Sequence, residues 1–546
     1  MTFQITLLGI LFAAMFLWFA VDSGRGKKKQ LQMLQRQFGA VPHSDYKRTG
    51  ISRYWERWQQ EHPDPGLVDE RSWDDLGMED LFDRINGCRS LIGEEYLYAL
   101  LHRRLDAEQQ RRQEELMEGM QDESFRLRLQ LVLLRLGKRT GIDPSRLLFE
   151  PEDFALEGER FLPFFAVLPL VSIPFFFFLP SFGSLLLIGA LCHNIWRYLR
   201  IQKKLEGRLE TISYQLAVFA AARRLEKLLE QRFPARAKEL GRLAALTHRI
   251  GKTVVLLAPS PQSNEYMLVQ LIGMLTLFPI LRYRSAVRVF CAAREQTQAL
   301  FEQIGELDAA QAILSYRCSL PVWAHPEFGT ELEIHAKGLL HPLLTESDCV
   351  PNDAAIERGW LLTGSNASGK STFIKAVALN AILAQNLNTC TAASFTLCRA
   401  AVITSMAARD DLAAGESYFV AEIKSMRRVV ALVGGPLPFY CFIDEVLKGT
   451  NTAERIAASC AVLRYLSRPG CLCVAATHDL ELTELLAGLY ENRHFSEEVS
   501  DRGVTFDYKL KMGPCRTTNA IRLLGYYDFP PELVAQAQAG MKNNTK

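Results

Sequence analysis

The chain has 546 residues, more than one ordinary hydrophobic core accommodates, so several domains are expected. Apolar residues make up 48% and charged residues 23%, a globular average, and the formal charge of +2 leaves any phosphate-binding surface to local patches. The 12 cysteines form no CxxC pair and no Cys/His spacing typical of zinc, which excludes a zinc module and favours buried thiols in a reducing compartment.

In chain order, "FQITLLGILFAAMFLWFAV" (Phe3 to Val21) is uncharged and roughly as long as a bilayer core requires. The basic residues Arg25, Lys27, Lys28 and Lys29 follow it rather than precede it. That order predicts an uncleaved transmembrane anchor over residues 1–22 with a cytoplasmic C-terminal flank. Residues 23–65 read as a juxtamembrane linker, and 66–160 as the first part of a helical core. "FLPFFAVLPLVSIPFFFFLPSFGSLLLIGALCHNIW" (Phe161 to Trp196) carries no acidic or basic side chain except His193, and "PSFGS" within it is a turn. It predicts a transmembrane hairpin over 161–197, flanked by Arg160 and by Arg197, Arg200, Lys203 and Lys204. One anchor and one hairpin make three crossings, hence a multi-pass inner-membrane protein with a cytoplasmic C-terminal domain. Residues 198–345 read as the second part of the helical core. Within it, Leu205 to Phe233 has an amphipathic stripe suited to packing. "YMLVQLIGMLTLFPILRY" (Tyr266 to Tyr283) reads as a buried or membrane-adjacent helix. From about Trp360, short apolar strands alternate with helices, an α/β texture, so 346–546 is taken as one domain.

That domain holds the chemistry-bearing motifs. In "LLTGSNASGKST", Gly364 is followed by four residues and then Gly369-Lys370-Ser371, the phosphate-loop spacing between a strand and a helix. Glycines let successive N–H groups of Gly364, Ser365, Asn366, Ala367, Ser368 and Gly369 turn toward one phosphate chain. A helix starting near Lys370, with Ser371 and Thr372 in its first turn, aims its positive end at the same anion. Lys370 would neutralise β- and γ-oxygens, and the Ser371 hydroxyl would ligate Mg²⁺. In "LPFYCFIDEVLKGTN", an apolar strand ends in Asp444, placed to hold Mg²⁺, and Glu445, placed to polarise an attacking water. In "CLCVAATHDLELTELL", a further strand ends near His478, which can bond a γ-phosphate or that water. In "DDLAAGESYFVAEIKSM", Ser417 precedes a helix and offers another anion-binding N-terminus.

These four elements, in this order, resemble the C-terminal ATPase domain of the MutS family of DNA mismatch-repair proteins, a branch of the ABC-type P-loop ATPases. Asn366 matches the family loop, and "YKLKMGPCRTTNAIRLLGYYDFPPELVAQAQ" is similar to the family's final strand and helix-turn-helix dimerisation segment. The resemblance is specific only in the last roughly 200 residues. It implies ATP and Mg²⁺ as ligands and a homodimer with composite sites. Ser417 would act in trans on the nucleotide of the other subunit, and Asn451 would lie at the seam. Two departures stand out. Glu416 places an acid where the family commonly has a basic or polar residue, and no counterpart of the mismatch-reading Phe-x-Glu wedge is found before Gly66.

The resulting expectation is a membrane-anchored, MutS-like subgroup lacking the mismatch reader. It has an α/β P-loop ATPase domain preceded by an all-α core interrupted by transmembrane helices, and it couples ATP hydrolysis to conformational change. The alternative is a membrane-tethered, repair-related DNA binder, whose basic candidates are Arg111, Arg112 and "FRLRLQLVLLRLGKRTG" (Phe125 to Gly141). An export ATPase ranks last, because three crossings without polar midplane residues make a poor conduit.

Overall fold

A computed structural model describes residues 26–43, 50–62, 67–156, 161–205, 207–245, 265–345, 347–365, 368–406, 418–500, 503–515 and 529–544. The chain divides into two compact units. One comprises Ile85–Ala99, Arg112–Cys318 and the described chain before Pro63; the other comprises Asp64–Arg84, Leu100–Arg111 and Ser319–Lys546.

The described part of the first unit is helical. Its longest buried element is the helix Arg294–Cys318, in which every residue from Leu307 to Arg317 is buried. A helix enclosed on all sides must pair its polar side chains internally. Asp308 does so by accepting the backbone N–H groups of Arg89 at 2.9 Å and Ser90 at 2.8 Å. Arg317 forms a two-pronged pair with Glu114 at 2.7 and 2.8 Å. The amphipathic stripe at 205–233 becomes the helix Arg208–Leu229, which buries Ile212, Leu216, Phe219, Leu225 and Leu229. The basic stretch from Phe125 lies on the helix Glu123–Leu136, capped by Asp122, and it buries Phe125 and Arg126 rather than displaying them.

The membrane expectation is overturned. Among the described residues no helix is long and apolar enough to cross a membrane. The apolar run does form a hairpin that turns at Pro180, with helices Leu162–Phe178 and Pro180–Lys204 packed on each other, but neither arm meets the requirement for a crossing. The first has 17 residues, with Pro169 and Pro174 inside it. At 1.5 Å per residue it spans about 26 Å, short of a hydrocarbon core of about 30 Å. In the second helix the apolar stretch ends before Arg197, and it contains a buried Asn194 whose Nδ2 donates to Leu275 O at 2.9 Å. The segment 266–283 is likewise two helices, Glu265–Thr276 and Phe278–Ala292, broken at Leu277 with φ +53° ahead of Pro279. The three-crossing topology, the transmembrane helices within the all-α core and the multi-pass inner-membrane localisation are therefore withdrawn. The expected anchor at 1–22 lies outside the described residues. The hairpin does leave large apolar side chains exposed, among them Phe164, Phe177, Phe178, Leu185 and Ile188.

The second unit is α/β. Among its described residues the strands are β1 (Glu327–Phe328), β2 (Ile334–Leu339), β3 (Asn352–Ile356), β4 (Trp360–Thr363), β5 (Ser394–Leu397), β6 (Ala401–Ser405), β7 (Phe439–Asp444), β8 (Cys471–Ala476), β9 (Glu491–His494), β10 (Glu497–Ser500), β11 (Gly503–Phe506) and β12 (Lys511–Met512). β1, β5, β2 and β3 form a small mixed sheet, and β10 and β11 a hairpin. The main sheet has the order β12-β9-β4-β8-β7-β6, parallel except for the edge strand β12. Its inner strands are continuous apolar runs, as strands covered on both faces must be; β4 is buried at all four positions. Leu361, Ile403, Phe439, Ile443 and Leu463 belong to one core cluster, and burial of each such side chain contributes roughly 1.5–3 kcal/mol. Edge strand β6 is covered by the segment near Leu67. Its N–H groups at Val402, Thr404 and Met406 donate to Leu67 O, Ser72 Oγ and Asp75 Oδ2. None of the twelve cysteines forms a disulfide, and Cys441 and Cys473 face each other in register across β7 and β8.

Candidate phosphate and hydrolysis site

Parallel register brings the motifs together. β4 pairs with β8, with Leu362 opposite Ala476, and β7 pairs with β8, with Asp444 opposite Ala476. The C-terminal tips of three neighbouring strands therefore carry the glycine loop, the acidic pair and the histidine. Ligands of open parallel sheets bind at that end. Beyond the strand ends, Thr477 N donates to Leu362 O at 2.9 Å and Glu445 N to Ala476 O at 3.1 Å.

Gly364 has φ +138° and Gly369 φ +106°, both in the left-handed half of the map. A Cβ on Gly364 would lie 2.5 Å from Phe495 O and 2.9 Å from Ser368 Oγ, so only glycine fits there. The helix Lys370–Leu387 begins at once after Gly369, with Ser371 half-buried and Thr372 exposed in its first turn. The Lys370 ammonium curls back and donates to Gly364 O at 2.6 Å and Ser365 O at 2.8 Å. Burial brings its pKa down to about 8, against the opposing pull of Asp444. Ser365 Oγ donates to Glu497 on β10, and Ser368 Oγ donates to Ser365 O at 2.7 Å. Asn366 and Ala367 lie outside the described residues.

Asp444 ends β7, and Glu445 follows with φ +66°. Leu447 has φ +56°. Each such non-glycine conformation costs of order 1–3 kcal/mol and persists only when its surroundings impose it. Here Ser459 Oγ donates to Val446 O at 3.1 Å while Glu445 N is held by β8. The Glu445 carboxylate meets His478 Nε2 at 3.0 Å and Lys448 Nζ at 2.6 Å. Burial, then the charges of Lys370 and Lys448, pushes the His478 pKa below its ordinary value, so the ring is mostly neutral at pH 7 and donates through Nε2–H. Arg455 fixes the turn after His478 through a two-pronged pair with Asp479 at 2.6 and 2.9 Å.

Lys370, Asp444, Glu445 and His478 are thus gathered at one place. Asn451 plays a different visible part. It caps the helix Thr452–Leu466, its Oδ1 accepting from Glu454 N at 3.0 Å. Ser417 and Glu416 lie outside the described residues, as do residues 516–528 of the expected dimerisation segment, whose final helix is Pro531–Asn544. Motif reading missed Lys448, Glu497 and Tyr508. The Tyr508 ring lies beside the loop, 3.2 Å from where a Gly369 Cβ would sit, and it stacks on Phe506. Asn352 pins the Tyr508 turn by donating to Tyr508 O at 2.9 Å and accepting from Leu510 N at 2.8 Å. An aromatic residue two positions after another in a β-rich tail was the only signal in the sequence. Among the described residues no three His, Cys, Asp or Glu side chains gather into a metal cage. Mg²⁺ does not need one, since it commonly takes one or two protein oxygens together with phosphates and water.

Residues 360–544 match the family model described as MutS domain V. The DNA mismatch repair protein MutS of Natronomonas pharaonis is 31% identical over 280 residues, covering 48% of this chain and 32% of the relative. That of Thermus thermophilus is 31% identical over 261 residues, covering 45% of this chain and 31% of the relative. DNA mismatch repair protein MutS 2 of Haloarcula marismortui is 29% identical over 292 residues, covering 46% and 30%. The matched region therefore spans about a third of the length of these relatives. The matches support the MutS family and an α/β ATPase-type domain at the C-terminal end of the chain.

Proposed function

We propose that the MutS-type domain of this chain binds ATP with Mg²⁺ and hydrolyses it. The observation that carries this reading is the convergence of the Lys370 loop, Asp444, Glu445 and His478 on the tips of three adjacent parallel strands. Lys370 exchanges its two loop carbonyls for β- and γ-phosphate oxygens. Ser371 and Asp444 are the side chains that would hold Mg²⁺, which when bound supplies charge neutralisation on those phosphates. Glu445 orients the attacking water and takes its proton, while His478 holds one carboxylate oxygen and faces the γ-phosphate. Tyr508 offers a ring for the nucleotide base to stack on. A second copy completes the site through Ser417, with Asn451 near the seam, so that hydrolysis drives closure or rotation of the two copies.

Turnover by the purified chain tests this directly. Lys370→Ala should abolish binding and hydrolysis. Glu445→Gln should bind ATP yet turn over about 10²–10⁴-fold more slowly, the range for loss of a general base. Normal turnover in the Lys370→Ala protein sinks the assignment.

A second reading, DNA binding, is favoured by the relatives' names alone. The basic stretch at 125–141 does not decide it: Phe125 and Arg126 are packed in a core, while Arg128, Arg135 and Arg139 are exposed. Gel shifts with matched and mismatched duplex at low and high salt decide the point, and no shift at low salt removes this reading.

A further inference from the structure

The loop that carries Glu445 is also gripped from the helix Tyr418–Val430. On that helix Glu422 is buried, and its carboxylate faces two consecutive backbone amides. Lys448 N donates to Oε1 at 3.1 Å and Gly449 N to Oε2 at 3.2 Å. Paired N–H groups on one carboxylate form a small anion nest, here closed by a side chain of the same protein. Phe419, three residues earlier, packs so tightly that a Cβ on Gly449 would come within 2.9 Å of the Phe419 Cβ. The far end of the helix is tied to β6: Ser425 Oγ lies 3.0 Å from Ser405 Oγ, and Arg428 donates to Thr404 O and to Asp69. The helix therefore has a firm seat on the sheet and a firm hold on the loop.

Burial alone requires that a carboxylate find partners. The choice of partners is what matters. Lys448, whose amide Glu422 holds, is the residue whose ammonium sits 2.6 Å from the Glu445 carboxylate. The loop between them includes two left-handed non-glycine residues, Glu445 and Leu447, a shape that an ungripped segment would relax. The same helix follows directly on Ser417, the residue expected to meet the nucleotide of a second copy.

We infer that Glu422 is a positioning residue for hydrolysis. It locks Lys448 and Gly449 so that Glu445 stays aimed at the attacking water, and it passes displacement of the Tyr418–Val430 helix on to that carboxylate. The inference rests on the ATPase reading above.

The test uses the full chain with Glu422→Ala and Glu422→Gln. It reads the thermal midpoint, the Kd of a fluorescent ATP analogue, kcat and KM, and hydrogen exchange in the peptide spanning 445–450. In the alanine variant, Kd should stay within about twofold of wild type while kcat falls about 10–100-fold, the scale of a small misplacement of a reacting group. Exchange at Lys448 and Gly449 should rise, with no comparable change elsewhere. Glutamine, which keeps one acceptor oxygen and the same size, should fall between, and it carries the test if the alanine variant does not fold. Unchanged kcat, unchanged exchange, or a loss of affinity equal to the loss of kcat each overturns the inference. A wild-type chain that binds nucleotide without turning it over removes the ATPase reading itself. Normal wild-type turnover with an unaffected alanine variant removes only the role of Glu422.

Discussion

The clearest consequence of the site's electrostatics is a pH dependence of nucleotide affinity above neutrality. Burial lowers the Lys370 pKa to about 8 from the ordinary 10.5. Phosphate binding requires the ammonium, so the binding-competent fraction is about nine in ten at pH 7 and about one in ten at pH 9. If only the charged form binds, apparent Kd rises about tenfold across that interval, about 1.4 kcal/mol. The sign is unambiguous: affinity falls as pH rises through the lysine's own titration, and binding takes up a proton. His478 does not confuse the window, because its pKa lies below 6.5 and it stays neutral throughout. Titration of a fluorescent ATP analogue between pH 7 and pH 9 measures the slope, and calorimetry in two buffers of different ionisation enthalpy measures the proton uptake. Lys370→Arg, which cannot lose its charge in this range, should abolish the slope in whatever binding remains. A flat wild-type profile, or the same slope in the arginine variant, refutes the reasoning.

Gly364→Ala should lose nucleotide binding and cost of order 1–3 kcal/mol locally, since its φ of +138° and the Phe495 carbonyl 2.5 Å from any Cβ leave no room; undiminished affinity by the same fluorescence assay contradicts this. Asn451→Ala should remove a helix cap worth about 1 kcal/mol and lower the thermal midpoint by about 2–4 °C, with Asn451→Asp restoring it. An unchanged midpoint in the alanine variant would mean that the cap contributes nothing. Tyr508→Ala should weaken ATP more than inorganic triphosphate, because only the base can use the ring; equal losses for both ligands reject the stacking role.

Lys370 was legible in the sequence from the glycine spacing that precedes it, and Asp444, Glu445 and His478 because each lies at or just after the end of a short apolar strand. Their adjacency was not legible locally. It depends on the order β4-β8-β7, a set of pairings between segments separated by long stretches of chain. Lys448 and Glu422 escaped notice for the same reason. Neither matches a motif position, and their meaning comes from a contact between a helix and a loop that meet only in the folded domain. Asn451 shows the converse. The family resemblance implies a seam residue, and its immediate backbone geometry also makes it a helix cap, a role that its nearest neighbours suffice to specify.

The apolar stretch from Phe161 to Trp196 failed as a membrane signal for a definable reason. Hydropathy measures composition over a window, whereas crossing requires one uninterrupted helix of sufficient length. The expected turn at Pro180 does open a new helix, but the arm before it has only 17 residues with two prolines inside it. In the second, Asn194 lies near the end of the apolar run and is buried because a carbonyl of a third helix, Leu275 O, receives its amide. That bond ties the second helix to a neighbouring helix of the same unit. The turn at Pro180 was therefore legible in the sequence; what hydropathy undervalued was Pro169, Pro174 and Asn194, which interrupt and shorten the apolar arms on either side of it.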